Sequence, residues 1–138
     1  MSNNKYKRRI FIKKSNIKNG GLGAFANMPL KKGSFIGHYK GKRYDINNLS
    51  DDDKELLTNS AYAMLVYDSS GNVSSYIDSS EKNKHLSNWT RYINGCKLKK
   101  QKPNVGFVTK NTRVHIEVIR DIEVGEELLA DYGPLYKW

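Results

Sequence analysis

Three short stretches of this chain combine residue types that do chemistry. Gly21-Leu22-Gly23, with Gly20 before it, puts three glycines in four positions, and glycine lets a backbone approach a ligand closely. A lone G-x-G fits either a nucleotide-facing loop or a plain hairpin loop. It is not the dinucleotide fingerprint, because no third glycine stands at the required spacing and no long helix follows. Asn88-Trp89-Thr90-Arg91-Tyr92-Ile93-Asn94-Gly95-Cys96 crowds a Trp, an Arg, a Tyr and two Asn into a partly apolar stretch. Such groups are costly to bury unless their hydrogen bonds are made, and the plainer reading is a packed turn. Glu126-Glu127-Leu128-Leu129-Ala130-Asp131-Tyr132-Gly133 ends in a Tyr-Gly pair. That pair either sets a phenol where a ligand approaches or simply closes a strand.

The elements that must position these stretches are short. Ile10 to Lys13 reads as a first strand, Gly20 to Gly23 as a loop, and Ala24 to Ala26 as extended chain. Pro29 to Gly33 is a turn and Ser34 to Tyr39 a strand. Ser50 caps a short helix beginning at Asp51 and ending near Asn59, with Asp53 completing a capping-box-like pair. Ala61 to Tyr67 and Val73 to Asp78 form a hairpin about the turn signal Ser69-Ser70-Gly71-Asn72. Leu86 to Ile93 reads as one or two helical turns, and Lys97 to Lys102 as a basic loop. Val105 to Thr109 is a strand, and Val114, Ile116 and Val118 alternate with His115 and Glu117 as a half-buried one. Glu123 to Glu126 is a turn before Leu128-Leu129. Many short strands, frequent turns and little helix predict a mainly β domain with short helices.

Composition bounds the function. The 138 residues argue for one domain, with residues 1–7 as a basic arm and 8–138 as the folded unit. A single cysteine, Cys96, permits no internal disulfide and no all-cysteine zinc cluster, and points to a reducing, intracellular compartment. His38, His85 and His115 show no metal-ligand spacing, so no metal is expected. No apolar run approaches the ~18 residues of a membrane span. The net charge of +10 suggests an anionic partner. That charge is blocked, however: residues 1–44 carry 12 basic and no acidic side chains, 45–81 carry 8 acidic and 1 basic, 82–113 carry 9 basic and no acidic, and 114–138 carry 6 acidic and 2 basic.

Taken together and in order, these motifs resemble the SET-domain protein lysine methyltransferases. The resemblance rests on Gly21-Leu22-Gly23, Tyr39-x-Gly41, Arg91-Tyr92-Ile93-Asn94, Pro103-Asn104, and Gly125-Glu126-Glu127-Leu128 with Asp131-Tyr132-Gly133. It spans about residues 8–138. Asn88 to Asn94 is most similar to the PR subclass, and the compact size without zinc clusters is similar to the minimal SET proteins of large DNA viruses. The resemblance implies small curled β-sheets around a C-terminal pseudoknot that joins Arg91 to Asn94 with Glu127 through Tyr132. It implies S-adenosylmethionine as cofactor and a lysine ε-amine, most simply on a histone tail, as acceptor. A non-histone protein substrate, or an inactive PR-type module that binds peptide or chromatin, are its alternatives. A nuclear (for a virus, host-nuclear) or cytoplasmic setting follows, and a homodimer that completes the site is an arrangement such relatives allow.

Carried over residue by residue, the resemblance assigns Gly21, Leu22, Gly23, Tyr62, Arg91, Asn94, Gly95 and Trp138 to the cofactor side. Tyr132 and Tyr39 take the catalytic positions. Tyr39, Tyr62, Phe107, Ala130 and Tyr132 line the substrate-lysine channel. The chemistry suits these types. A free lysine, with a pKa of about 10.4, is protonated at neutral pH; an aromatic channel beside a sulfonium disfavours that charge, and tyrosine hydroxyls orient the neutral amine for in-line transfer. Gly95 replaces the histidine many relatives carry. Phe107 and the small Ala130 leave room for di- or trimethylation. The acidic blocks are expected to line the peptide groove through Asp51, Asp52, Asp53, Asp68 and Asp78. Lys97, Lys99, Lys100 and Lys102 are expected to touch nucleosomal DNA.

Overall fold

The computed structural model describes residues 9–17, 21–95 and 102–130. Ten short strands form three sheets. β1 (Ile10–Lys14) and β2 (Leu22–Ala26) pair antiparallel, with Phe11 opposite Phe25. β3 (Phe35–His38), β9 (Arg113–Val118), β8 (Val105–Lys110), β10 (Leu129–Ala130) and β7 (Asn94–Gly95) form the five-stranded sheet, in that order. β4 (Lys42–Asp45), β6 (Val73–Asp78) and β5 (Ala63–Tyr67) form the third, with β6 in the centre.

Local sequence explains most of these elements. In β9, Val114, Ile116 and Val118 are buried and the residues between them are not, as alternation requires. The helix α1 (Asp51–Asn59) starts on the expected capping box: Ser50 Oγ accepts from the Asp53 amide, and the Asp53 carboxylate accepts from the Ser50 amide. Only Leu57 of α1 is buried, so the helix is a surface element. Within the 86–93 stretch one 3₁₀ turn forms, Trp89–Tyr92, capped by the Asn88 side chain on the Thr90 amide; another 3₁₀ segment, Glu81–Leu86, precedes it.

Sequence reading and structure part in two places. Leu22 and Gly23 are not loop but the start of β2, opposite Lys14 and Lys13; only Gly21, at φ +63°, keeps the left-handed turn conformation. The long-range pairing with β1 extends what local glycine content would leave open. β4 has no apolar period, because Lys-Arg-Tyr-Asp buries only Tyr44. It is a strand because β6 supplies a partner along its whole length.

The C-terminal segment ties the sheets together. Residues 125–128 run along the free edge of β2: the Ala26 amide donates to the Glu126 carbonyl, and the Leu128 amide to the Ala24 carbonyl. This second partner explains why Ala24, Phe25 and Ala26 are all fully buried. β10 then inserts between β7 and β8, parallel to both, with Ala130 opposite Gly95 and Val105. This is the pseudoknot joint expected between the Asn94 region and the chain's end. The core around it is Ile10, Ile36, Val66, Val105, Ile116, Ile122 and Leu128.

Just before β4, Gly41 packs against the end of β6 with no room to spare: an added Cβ would overlap the Asp78 carbonyl and press on the Ser79 nitrogen. Gly71 has a positive φ but open space around it. Gly41→Ala is therefore expected to cost at least about 2–3 kcal/mol of stability by forcing backbone apart, and Gly71→Ala only about 1–2 kcal/mol of left-handed strain. Urea denaturation of the two variants measures the difference.

Candidate functional site

The site is built around one buried carboxylate. Glu127 accepts from Ser15 Oγ at 2.6 Å, from the Asn16 amide at 2.9 Å and from Asn94 Nδ2 at 3.2 Å. Asn94 Nδ2 also donates to the Leu22 carbonyl at 3.1 Å. Glu127 itself bridges to Phe25 across the edge of β2. A Cβ at Gly23 would collide with the Glu127 carboxylate, so glycine there is a packing requirement. The Asn94 side chain thus joins the Gly21–Gly23 segment to Glu127 on one face, with Gly95 next to it in β7 and buried. On that face Gly21 has open space around it and Leu22 is 51% exposed.

Asn104 holds the same segment from the other side. Its backbone amide donates to the Leu129 carbonyl, its Oδ1 accepts from the Leu129 amide, and its Nδ2 donates to the Glu127 carbonyl. The buried side chain stands in for a strand neighbour beside Glu127 to Leu129. Beside it, Glu126 accepts from Asn104 Nδ2 at 3.3 Å and from Arg120 Nη1 at 3.0 Å. Arg120 reaches on to the Pro103 and Lys102 carbonyls.

A second group is aromatic. Tyr39, buried, donates its hydroxyl to the Tyr62 carbonyl at 2.7 Å, and its ring meets Phe107 edge-on with centroids 5.8 Å apart. The Tyr62 carbonyl also accepts from the Ser79 amide. The Tyr62 ring is half-exposed and lies 4.8 Å from the Arg91 guanidinium carbon, which also sits 5.0 Å from the Tyr92 ring. Arg91 donates through Nε to the Ser79 carbonyl at 2.9 Å. Arg91 therefore joins the aromatic group rather than the Glu127 face. Ala130 is buried in β10 between the two groups' strands.

Asp78 does not line a groove. It is completely buried and accepts from Ser60 Oγ, from Asn83 Nδ2 and from Ser80. A carboxylate so fully hydrogen-bonded is a joint between β6 and the turns that follow it. Asp53 serves the α1 cap and Asp68 caps the 68–72 turn through the Ser70 and Asn72 amides. Asp51 and Asp52 remain exposed on the first turn of α1. Tyr132, Trp138, Cys96, Lys97, Lys99 and Lys100 lie outside the described residues, as does the 1–7 arm. Lys102 is exposed. Among the described residues no group of three His, Cys, Asp or Glu side chains is placed to hold a metal, and no helix is long and apolar enough to cross a membrane.

Sequence reasoning placed Glu127 in the pseudoknot but not as a hydrogen-bonded hub, and assigned no role to Ser15 or to the Asn104 side chain. Glu127 and Asn104 do stand in the motifs that carry the family resemblance, but their partners lie far away in the chain and leave no local signal.

Comparison with known proteins fits this geometry. The family described as PR domain zinc finger protein 2, PR domain, matches residues 10–137. The chain belongs to this PR/SET family. It is 34% identical over 125 residues to the histone-lysine N-methyltransferase set-17 of Caenorhabditis elegans, covering 91% of this chain and 41% of that protein. The chain thus spans about two fifths of that relative's length. Its fold is shared with the methyltransferase domain of human PR domain-containing protein 2, at a TM-score of 0.68 and 22% identity over 90% of this chain and 76% of that one. It is shared as well with the Chaetomium thermophilum Polycomb Repressive Complex 2, at a TM-score of 0.67 and 23% identity over 94% of this chain and 16% of that one.

The Glu126 cluster predicts a pH dependence. Partial burial works to raise this carboxyl's pKa, but the Glu123 amide, the Asn104 amide and the Arg120 guanidinium together outweigh it and hold the group below the ordinary value of 4.5. A depressed folded-state pKa contributes stability that is present above 4.5 and lost as pH falls through the lowered value. Glu126→Gln is expected to lower stability at neutral pH and to converge on the wild type in acid. Denaturant midpoints measured at pH 7 and across the acid range test it.

Proposed function

We propose that this chain is an S-adenosylmethionine-dependent protein lysine N-methyltransferase acting on histone tails in the nucleus. The observation that carries the reading is the bridge made by Asn94 between the Leu22 carbonyl and Glu127. It links the Gly21–Gly23 segment to Asn94 and its neighbour Gly95, five of the eight residues assigned to the cofactor side; Tyr62 and Arg91 lie with the aromatic group, and Trp138 is outside the described residues. The donor set suits S-adenosylmethionine. Open space at Gly21 admits close approach to backbone, and Leu22 and Asn94 offer an apolar and a polar contact beside it. The bound cofactor supplies an electrophilic methyl group on a sulfonium; the protein's part is to bind, orient and exclude water.

The aromatic group supplies the substrate side. Tyr39, Tyr62 and Phe107 wall a channel in which a lysine ammonium loses hydration, so the neutral amine is favoured. The Tyr39 hydroxyl is already committed to the Tyr62 carbonyl, which supports a positioning role for Tyr39: it fixes the start of β5. That leaves Tyr132 as the tyrosine proposed to orient the amine lone pair. Phe107 presents no hydroxyl to hydrogen-bond the amine and Ala130 is small, which supports a product beyond monomethyl-lysine.

Radiolabelled S-adenosylmethionine with core histones and nucleosomes tests this reading. Labelling of histones is expected, with Tyr132→Phe lowering kcat by about a hundredfold or more. Mass spectrometry is expected to find di- or trimethyl-lysine. Labelling only of non-histone proteins would replace the substrate. No labelling, together with no cofactor binding, would replace the enzyme with a binding module.

A further inference from the structure

Beside Tyr39, but lined by neither Phe107 nor Tyr62, lies a cleft of about 350 Å³ between the β3–β9 edge of the five-stranded sheet and β4 of the third. Four of its walls are cationic or ionisable to a cation: His38, Lys40, Arg43 and Arg113. Among the described residues no acidic side chain lines it. Three separate segments deliver these groups. Lys40 follows β3, Arg43 is in β4 and Arg113 opens β9. The fold fixes one of them, since Arg43 donates to Ser75 Oγ at 2.9 Å and to the Thr112 carbonyl at 2.7 Å. Among the described residues, Lys40, Arg43 and Arg113 form no ion pair with a carboxylate. Gathering cations without counterions is unfavourable unless an anion completes the site.

The cleft does not stop at charge. His38 stands at its edge and also belongs to a cluster of three rings on the outer face of β3 and β9. The Phe35 ring lies 4.9 Å from His38 and 5.0 Å from His115, and the two histidines lie 4.6 Å apart. Phe35 is 44% exposed. The positive surroundings also register on His38, whose pKa is held below the ordinary histidine value by burial first, then by His115, Arg113 and Lys40.

We propose that this cleft binds single-stranded nucleic acid, with Lys40, Arg43 and Arg113 on the phosphodiester backbone and the exposed Phe35 ring stacking on a base. A basic groove beside an exposed aromatic platform is the chemistry single strands use. An acidic peptide would satisfy the cations but give Phe35 nothing to stack on. The site shares only Tyr39 with the substrate side, so it stands independently of the catalytic reading.

The test is fluorescence anisotropy with short labelled single-stranded and duplex oligonucleotides of one sequence, from about 50 to 200 mM salt. The whole chain carries +10, so a charge-matched control is essential. Lys40→Glu/Arg113→Glu is expected to weaken single-strand binding about tenfold or more and to flatten its salt dependence. Lys31→Glu/Lys32→Glu, with the same charge change on the exposed turn before β3, is expected to change it far less. Should the Glu variant unfold, Lys40→Gln/Arg113→Gln serves instead, with a smaller loss in the same order. Phe35→Ala is expected to weaken the single strand and spare the duplex. Equal losses in the two charge-reversed variants would overturn the site in favour of a diffuse field. Equal binding of a polyglutamate peptide would overturn nucleic acid as the ligand. Duplex binding as tight as single-strand binding, untouched by Phe35→Ala, would overturn the stacking role.

Discussion

The joint between the Gly21–Gly23 segment and Asn94 depends on the Glu127 carboxylate being buried with its donors in place. Ser15, the Asn16 amide and Asn94 converge on it from segments 112, 111 and 33 residues away in sequence. A buried carboxylate is tolerable only when so satisfied, so the Ser15–Asn16 and Asn94 segments are as constrained by Glu127 as it is by them. Gly23 has no side chain because Glu127 occupies that space. The G-x-G motif and the Glu-Glu-Leu motif, far apart in the chain, thus answer one physical demand.

The C-terminal segment can make this joint because it is held on both sides. β2 pairs with residues 125–128, Asn104 mimics a strand neighbour, and β10 fits between β7 and β8. With no long helix among the described residues, these long-range pairings hold the small sheets together. Asp78 plays a similar part in the third sheet, fully buried among Ser60, Ser80 and Asn83. Two of the 14 acidic residues are therefore spent inside the protein as joints.

What was legible in the sequence was what is local. The Ser50–Asp53 capping box, the hairpin turn at 69–72 and the alternation of Val114, Ile116 and Val118 each encode their structure within a few residues. β4 was not legible, since Lys-Arg-Tyr-Asp becomes a strand only through β6. The hairpin turn at Asn111 and Thr112, with φ of 50° and 65°, lacks the glycine that marks such turns. Charge blocks misplaced Asp78 for the same reason: an acid reads as surface until three donors from other turns surround it. Motif order nominated candidate residues, but only the fold separates Arg91, which belongs with Tyr62 and Tyr92, from the Glu127 face. The alternating charge also gains a location. Basic residues of two different blocks, Lys40 and Arg43 from one and Arg113 from the other, meet in one cleft.

The most direct measurement is calorimetric binding of S-adenosylmethionine to the wild type, Asn94→Ala, Glu127→Gln and the double variant. Glutamine keeps the shape of Glu127 but turns an NH₂ toward groups that already donate. If the Asn94–Glu127 pair builds the cofactor face, each single variant weakens binding by about tenfold or more, and the double loses far less than the sum, as coupled neighbours do. Unchanged affinity in folded Glu127→Gln, or strictly additive losses, would contradict it.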